Sequence, residues 1–265
     1  MNLLLTNDDG IDAEAFLDFA DALRSGTSHR VYVLAPDRNC SGISNALSMI
    51  RQPVRLVRRA ADTWACSGTP TDCVCVAMLG GLSVKPDLIL SGINAGPNIG
   101  TDLIYSGTAA AARQSALAGI PGIALSLSGG PGAFHWKRAI DYAVAALPEL
   151  ESLWARDVFI NVNIPNTAEG PLGSRITFPS IRRYNDSLTV ETDKDGHLSC
   201  MIQAGNFHTE PEPGSDWDAV LQNYVSISPV FLHPVVRRDR CAGVPDYAGV
   251  GPRPGRVNRD VSGVQ

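Results

Sequence analysis

Short apolar runs alternate with longer amphipathic segments over residues 1–165. The runs are too short for helices, and each ends in polar or glycine-rich sequence, as buried strands of a parallel sheet do. Between the first two runs, Phe16, Phe19 and Leu23 recur at the spacing of a helix that packs one face on a sheet. This alternation predicts an α/β fold with a doubly wound, mostly parallel sheet. The predicted strands are residues 3–5, 31–34, 86–91, 123–127 and 158–164, and the predicted helices are residues 13–24, 73–79, 109–117 and 134–147.

A capping motif precedes the second predicted helix. Thr69 stands at the N-cap position, Pro70 at the first helical position and Asp72 three residues after the cap. Residues of these types satisfy or tolerate the free N–H groups of a first helical turn. We therefore assign Asp72 a capping role.

The composition changes near residue 165, where shorter strands replace the alternation. Residues 187–192 and 198–203 are predicted to be two strands joined by a tight turn, because Asp195-Gly196 lies between them. A projecting hairpin is marginally stable alone, so we expect it to pack on another subunit. Glycine, proline and charged residues dominate beyond Arg237. We expect three parts: a core over residues 1–165, a hairpin and oligomerisation region over residues 166–236 with a strand returning to the core, and a mobile tail over residues 237–265.

Charge and composition exclude several classes of partner. The chain of 265 residues has a net charge of −5, which argues against a broad electrostatic grip on a nucleic acid polymer or an anionic membrane. No secretory signal opens the chain, and no apolar run approaches the roughly 20 residues that cross a bilayer. We therefore expect a soluble, cytoplasmic protein. The six cysteines include no CxxC pair, so neither structural zinc nor a disulfide framework is indicated.

Polar side chains follow three of the predicted strands, at one edge of the sheet. Asp8 and Asp9 come directly after the first strand. Ser41 lies in the loop after the second strand, and Asn94 follows the strand at residues 86–91. Carboxylates and neutral oxygens suit a hard divalent cation such as Mg²⁺ or Mn²⁺. Adjacent aspartates can also simply cap the following helix, and this alternative remains open.

Small residues open the helix predicted at residues 109–117. Ser106, Gly107 and Thr108 leave the first backbone N–H groups accessible, where the positive end of the helix dipole favours a phosphate. Ser106 or Thr108 can also be an ordinary N-cap, and both roles use the same geometry. Next to a divalent cation, such a helix start favours hydrolysis of a phosphate ester by metal-activated water.

Other nucleotide and hydrolase signatures are missing from the sequence. The glycines of residues 92–100 are spaced GxxxGxxxG, whereas a dinucleotide fingerprint is GxGxxG, and no GxxxxGK[ST] motif occurs. Residues 42–46 lack the final glycine of a GxSxG nucleophile elbow. The five histidines lie on no motif, so the chemistry has no obvious histidine base.

Five runs of sequence resemble the SurE family of stationary-phase survival proteins. They cover much of residues 1–165 in the family's order, and the later Ser226 and Pro229 resemble its Ser-x-Ser/Thr-Pro motif. The runs are TNDDG at 6–10, APDRNCSGISN at 35–45, GTPTDCV at 68–74, SGINAGPN at 91–98 with SGT at 106–108, and NVNIP at 161–165.

The resemblance implies a metal-dependent phosphatase of nucleoside monophosphates, a 5′-nucleotidase. It implies a Rossmann-like core with a C-terminal β-hairpin appendage, which assembles into homodimers or homotetramers through the hairpin and the chain's end. One divalent cation per subunit, Mg²⁺ or Mn²⁺, would be held by Asp8, Asp9, Ser41 and Asn94, and the two aspartates would be catalytic. The phosphate pocket would be lined by Asn45, Asn98, Ser106, Gly107 and Thr108.

The chain also departs from the family's pattern. Glu14 and Ala15 stand where the family usually has Pro and Gly, and Gln114 stands where it usually has Glu. The amphipathic terminal helix that the family exchanges between subunits is missing after Pro229. Two alternatives therefore accompany the phosphatase. One is a non-catalytic, nucleotide-binding oligomeric scaffold, and the other is hydrolysis of short polyphosphate at the same site.

Overall fold

The computed structural model describes residues 1–129 and 132–233. These residues form thirteen strands, five α-helices and one 3-10 helix. The strands are β1 (Asn2–Thr6), β2 (Arg30–Pro36), β3 (Leu56–Ala60), β4 (Thr63–Cys66), β5 (Leu88–Ala95), β6 (Gly122–Ser128), β7 (Val158–Pro165), β8 (Ser174–Ile176), β9 (Arg182–Tyr184), β10 (Ser187–Thr192), β11 (Leu198–Gln203), β12 (Phe207–Thr209) and β13 (Val225–Phe231). The helices are α1 (Phe16–Gly26), α2 (Pro70–Met78), α3 (Gly107–Leu117), α4 (Trp136–Ser152) and α5 (Asp216–Leu221), and the 3-10 helix is Gly100–Ile104.

Nine strands form one mixed, mostly parallel sheet in the order β3-β4-β2-β1-β5-β6-β7-β13-β8. The central strands β2, β1, β5, β6 and β7 run parallel, while β13 pairs antiparallel with β7 and β3 antiparallel with β4. β2 lies on one side of β1 and β5 on the other, so the strand order changes direction at β1. The end of β1 therefore lies at the centre of the sheet edge. In doubly wound sheets, ligands bind at such an edge. The predicted fold class is confirmed.

Helices cover both faces of this sheet. Leu3, Leu5 and Val33 are buried on one face with the apolar side of α1, which includes Phe16 and Phe19. Alternate residues of the same strands, such as Leu4 and Leu34, are buried on the opposite face with residues of α2 and α3. Because both faces are covered, the middle of β1 and of β2 is apolar without alternation, as the uninterrupted runs in the sequence predict.

Helix α1 begins at Phe16, three residues later than predicted. Ala15 precedes it with φ 59, a left-handed conformation that costs an alanine about 1–2 kcal/mol. A glycine adopts this conformation without the penalty. A glycine, which the resemblance leads us to expect in place of Ala15, would therefore avoid this penalty.

The predicted cap of α2 is confirmed. The Thr69 hydroxyl accepts a hydrogen bond from the backbone N–H of Asp72, and the Asp72 carboxylate accepts one from the backbone N–H of Thr69. Asp72 also accepts hydrogen bonds from the Ser48 hydroxyl and from the backbone N–H groups of Ser48 and Met49. Burial by itself would raise the pKa of Asp72, but these donors outweigh it and lower the pKa.

The segment between β8 and β13 carries two small antiparallel ribbons. Strands β9 and β12 pair with each other, and β10 and β11 form the predicted hairpin, whose residues are all exposed. The boundaries at residues 165 and 236 stay predictions. The predicted tail at residues 237–265, and most of the stretch predicted to lack a terminal helix, lie outside the described residues. No helix in the described ranges has the length and apolar character needed to cross a membrane.

Candidate active site

A cleft of about 940 Å³ opens at the carboxyl ends of β1 and β5 and brings together most of the predicted site residues. It is lined by Asp8, Asp9, Ser41, Asn94, Asn98 and Ser106. Gly107 and Thr108 lie directly behind this lining, against the side chain of Asp8. Asn45 does not line the cleft, although its neighbour Ser44 is hydrogen-bonded to the backbone of Ile104 and Tyr105, just before Ser106.

The turn after β1 presents the two aspartates. The Asn7 side chain donates to the carbonyl of Gly10 at 2.8 Å and accepts from its N–H at 3.2 Å, which closes the turn. Gly10 has φ 103, and a Cβ there would lie 3.0 Å from the backbone carbonyl of Arg38. The TNDDG run therefore packs directly against the loop that carries Ser41. The carbonyl of Asp8 reinforces this contact by accepting a 2.7 Å hydrogen bond from the N–H of Cys40.

Asp8 is buried against the start of α3. The Thr108 hydroxyl donates to Asp8 Oδ1 at 2.5 Å, and the Thr108 backbone N–H donates to Oδ2 at 3.1 Å. A Cβ on Gly107 would lie 2.8 Å from the Cβ of Asp8, so only glycine allows the helix to approach this closely. Ser106 caps the helix, since its hydroxyl accepts from the N–H of Ala109 at 2.9 Å. No described residue accepts a hydrogen bond from the N–H of Gly107.

Asp9 and Asn94 both lie at the junction of β1 and β5. Asp9 Oδ2 accepts from the N–H of Ala95 at 3.1 Å. The Asn94 amide nitrogen donates to the carbonyl of Gly96 at 2.9 Å, and its oxygen lies 3.5 Å from the Thr108 hydroxyl. The β5–β6 pairing is irregular between Ser91 and Asn94, and this irregularity turns Asn94 towards the cleft.

The two carboxylates lack a cationic partner among the described residues. Burial raises the pKa of Asp8, and the charge of Asp9 raises it further, although the hydrogen bonds from Thr108 oppose the shift. Burial also raises the pKa of Asp9, against the hydrogen bond from Ala95. No Lys, Arg or His within residues 1–129 and 132–233 forms an ion pair with either aspartate. Two adjacent carboxylates that have no cationic partner among the described residues, next to neutral oxygen ligands, fit a hard divalent cation.

A network of polar residues in buried strands holds Asn98 in place. The Asn98 N–H donates to Asn163 Oδ1 at 2.8 Å, and the Asn98 carbonyl accepts from the side-chain amides of Asn161 and Asn163. The Asn98 side chain donates to the Ser126 hydroxyl at 2.8 Å. Asn161 and Asn163 had no predicted role of their own. Two asparagines in an apolar strand were the available signal, because buried polar side chains need partners.

One wall of the cleft comes from residues that the sequence analysis did not single out. Arg182 and Tyr184 of β9 and Phe207 of β12 line it. Arg182 Nη1 pairs with Asp102 Oδ2 at 2.8 Å, and the Tyr184 hydroxyl donates to the same carboxylate. No local motif marks these residues, because the wall forms only when two distant short strands pair.

A second acidic group occurs at the tip of the β10–β11 hairpin. Asp193, Asp195 and His197 are all exposed there, close enough to share an ion. The backbone N–H groups of Asp195 and His197 both donate to Asp193 Oδ1 at 2.9 Å. This group therefore has a turn-stabilising role of its own, and it does not line the cleft.

Comparisons with known proteins agree with this geometry. The profile of the family described as Survival protein SurE matches residues 3–186. The chain is 37% identical over 238 residues to "5'-nucleotidase SurE" of Xylella fastidiosa (strain M12), which covers 88% of this chain and 90% of that protein. It is 38% identical over 235 residues to "5'-nucleotidase SurE" of Xanthomonas oryzae pv. oryzae (strain PXO99A), with 88% of this chain and 90% of that protein covered.

A solved structure shares both the fold and much of the sequence. The crystal structure of the SurE protein from Aquifex aeolicus superposes with a TM-score of 0.75 and 35% sequence identity, over 90% of this chain and 96% of that chain. The family profile covers more than half of the chain, and the relatives are similar along almost all of their own length. This chain belongs to the SurE family.

Proposed function

We propose that this protein is a metal-dependent 5′-nucleotidase, which hydrolyses nucleoside monophosphates to nucleoside and phosphate. The names of the relatives from Xylella and Xanthomonas support this activity. The observation that carries the proposal is the pair of adjacent carboxylates, Asp8 and Asp9, which line the cleft and have no cationic partner among the described residues, with Asp8 held at the start of α3. A phosphomonoester bound there has its phosphate at a helix N-terminus and next to a cation-binding set of oxygens.

The cation is proposed to be Mg²⁺ or Mn²⁺, held by Asp8, Asp9, Ser41 and Asn94. All four residues line the cleft, and all offer oxygen donors, which these hard cations prefer. When bound, such a cation supplies positive charge for the phosphoryl oxygens and makes water more acidic.

The chain's own residues bind the phosphate, position Asp8 and accept a proton. The N–H of Gly107, which has no acceptor among the described residues, and the hydroxyl of Ser106 lie at the helix start, where they bind phosphate oxygens. Asn98, fixed by its network, orients the phosphate from the side of β7. Thr108 holds Asp8 through both of its donors, so its contribution to the site is to position this carboxylate. Asp9 has an oxygen without a donor among the described residues and accepts the proton of the attacking water.

Assembly into a homodimer or homotetramer is part of the proposal. Cross-strand pairing places Leu188 opposite Ile202 and Val190 opposite Cys200, so one face of the hairpin is apolar. Leu188 and Ile202 are 60% and 71% exposed, which favours a second subunit as the partner of this face. Sedimentation equilibrium measures the mass directly, and a monomer at all concentrations would contradict this assembly. The cytoplasmic location stays a prediction.

The substituted residue Gln114 does not favour the scaffold alternative. It is half-buried on α3, and its side chain makes no hydrogen bond to a described residue of the cleft. The loss of a carboxylate at this position therefore leaves the oxygen set of Asp8, Asp9, Ser41 and Asn94 in place.

A phosphate-release panel tests the proposal. The purified protein is given 5′- and 3′-nucleoside monophosphates and short polyphosphate, each with Mg²⁺, with Mn²⁺ and with EDTA. We expect metal-dependent release from nucleoside monophosphates, fastest with the 5′ esters. Nucleotide binding without release would favour the scaffold, and faster release from polyphosphate would favour the third alternative.

A further inference from the structure

The wall of the cleft formed by β9 and β12 presents a partly exposed aromatic ring. Phe207 lines the cleft and is 46% exposed. Its ring is held on the protein side: Trp217 meets it edge-on at 5.6 Å between centroids, and Tyr184 at 6.4 Å. A fixed ring with free surface in a cleft is a platform for a planar ligand.

The guanidinium of Arg182 lies over the Phe207 ring, 4.1 Å from its centroid. This contact covers part of the ring and orients it by a cation–π interaction. The wall is tied to the phosphate side of the cleft, because Arg182 Nη1 donates to Asp102 at 2.8 Å and Asp102 belongs to the 3-10 helix that leads into Ser106. The distance between the ring and the helix start is therefore set by short, fixed contacts.

Arg182 also carries an unused donor. The residue is only 4% exposed, its Nε donates to the Thr209 hydroxyl at 3.1 Å, and its Nη1 is paired with Asp102. Its Nη2 is buried and has no hydrogen-bond partner among the described residues. That nitrogen has almost no exposed surface, so it does not reach the cleft, and Arg182 acts on the wall through its contact with the Phe207 ring.

We propose that Phe207 and Arg182 form the nucleobase subsite of the cleft. The base stacks on the exposed surface of Phe207, and Arg182 holds this ring in place. A purine offers a larger stacking surface than a pyrimidine does. The subsite therefore favours purine monophosphates. This inference rests on the proposed nucleotidase activity, which supplies the phosphate end of the same ligand.

The test compares substrates that share the phosphate and sugar but differ in the base. For each variant, kcat/KM is measured for GMP, CMP and ribose 5-phosphate, and the GMP to ribose 5-phosphate ratio reports the base contribution. Removing an aromatic side chain on which a base stacks typically weakens binding of that base by about 5-fold to 100-fold. We expect Phe207→Ala to lower this ratio by about 10-fold or more, mainly through KM, and Phe207→Trp to restore it.

Two controls separate the assignment from its competitors. Phe231→Ala removes an even more exposed phenylalanine, 60% against 46% for Phe207, that does not line the cleft, and we expect the ratio to stay at the wild-type value. Tyr105→Ala removes the exposed aromatic residue that lines the cleft beside Ser106. A fall in the ratio for Tyr105→Ala and not for Phe207→Ala would overturn the proposal.

Binding of guanosine, which has no phosphate, distinguishes failure of the subsite from failure of the activity. Saturation-transfer NMR should show guanosine protons in contact with the wild-type protein and the signal lost in Phe207→Ala. If the wild type releases no phosphate from any ester, the proposed function fails, and the guanosine signal alone decides the subsite. A guanosine signal that persists unchanged in Phe207→Ala overturns the subsite, whatever the activity.

Discussion

Replacing Thr108 by valine tests how the start of α3 prepares Asp8 for a cation. The two side chains have nearly the same shape, so the change removes one donor while the packing is kept. The lost hydrogen bond, 2.5 Å from hydroxyl to carboxylate, joins a charged group to a residue that is 0% exposed. A hydrogen bond to a charged group is worth about 1.5–3 kcal/mol, and residues that hold metal ligands typically change metal affinity about 10- to 100-fold. We expect Mn²⁺ to bind Thr108→Val about 10- to 100-fold more weakly.

Isothermal titration of Mn²⁺ into the metal-free protein measures this change, and the Mn²⁺ dependence of phosphate release gives an independent value. Thr71→Val is the matched control: Thr71 is equally buried, in α2, and its hydroxyl has no hydrogen-bond partner among the described residues. We expect the control to bind Mn²⁺ as the wild type does. Equal affinity in Thr108→Val and Thr71→Val would refute the role of this hydrogen bond.

Three further substitutions test the charges and the backbone around the site. Asp9→Asn should abolish Mn²⁺ binding and turnover but stabilise the EDTA-treated protein at neutral pH. Burial raises the pKa of Asp9 in the folded state above the value of 3.8 in the unfolded state. The folded state therefore loses stability as the pH rises from 3.8 through the raised pKa, and urea unfolding should show a smaller loss of stability over this range in the variant. Asp72→Asn should cost about 2 kcal/mol at neutral pH. The pKa of Asp72 is lowered, so its stabilisation is present above 3.8 and fades as the pH falls through the lowered value; a cost that does not shrink in acid would argue against this. Ala15→Gly should raise the free energy of unfolding by about 1 kcal/mol by removing the left-handed strain, and a loss of stability would contradict that explanation.

The central sheet could be predicted because its signals are local. Runs such as residues 3–5 and 88–90 are buried on both faces, so the sequence is apolar without alternation. The face of α1 could be predicted for a similar reason, because Phe16, Phe19 and Leu23 recur at helical spacing and all three are buried. Each of these elements is encoded within a few residues of chain.

The smaller strands could not be predicted in the same way. β4 has four residues, and its pairing with β2 and β3 is set by the register of its neighbours. β9 and β12 have three residues each and pair across the whole hairpin, with Tyr184 opposite Phe207. Their side chains are mostly exposed, so they carry no hydrophobic period. Such strands exist only in tertiary context.

The same division applies to the candidate site. Asp8, Asp9 and Ser41 follow strands, and Asn94 lies near the end of β5. The ends of these strands were predicted to meet, and the structure brings all four residues to one cleft. The contacts of the residues behind them were not predicted, because the hydrogen bond between Thr108 and Asp8 joins positions 100 residues apart. Contacts of this range depend on how α3 docks on β1, which no local pattern specifies.

Phosphate release from a 5′-nucleoside monophosphate is the most direct measurement of the central claim. The wild-type protein is assayed in EDTA, then after Mn²⁺ is restored, next to an Asp8→Asn variant whose folding is checked by circular dichroism. We predict no release in EDTA, full recovery with Mn²⁺, and none in the folded Asp8→Asn protein under either condition. Release that persists in EDTA, or near-wild-type turnover by Asp8→Asn, would contradict a metal-dependent nucleotidase built on this pair of aspartates.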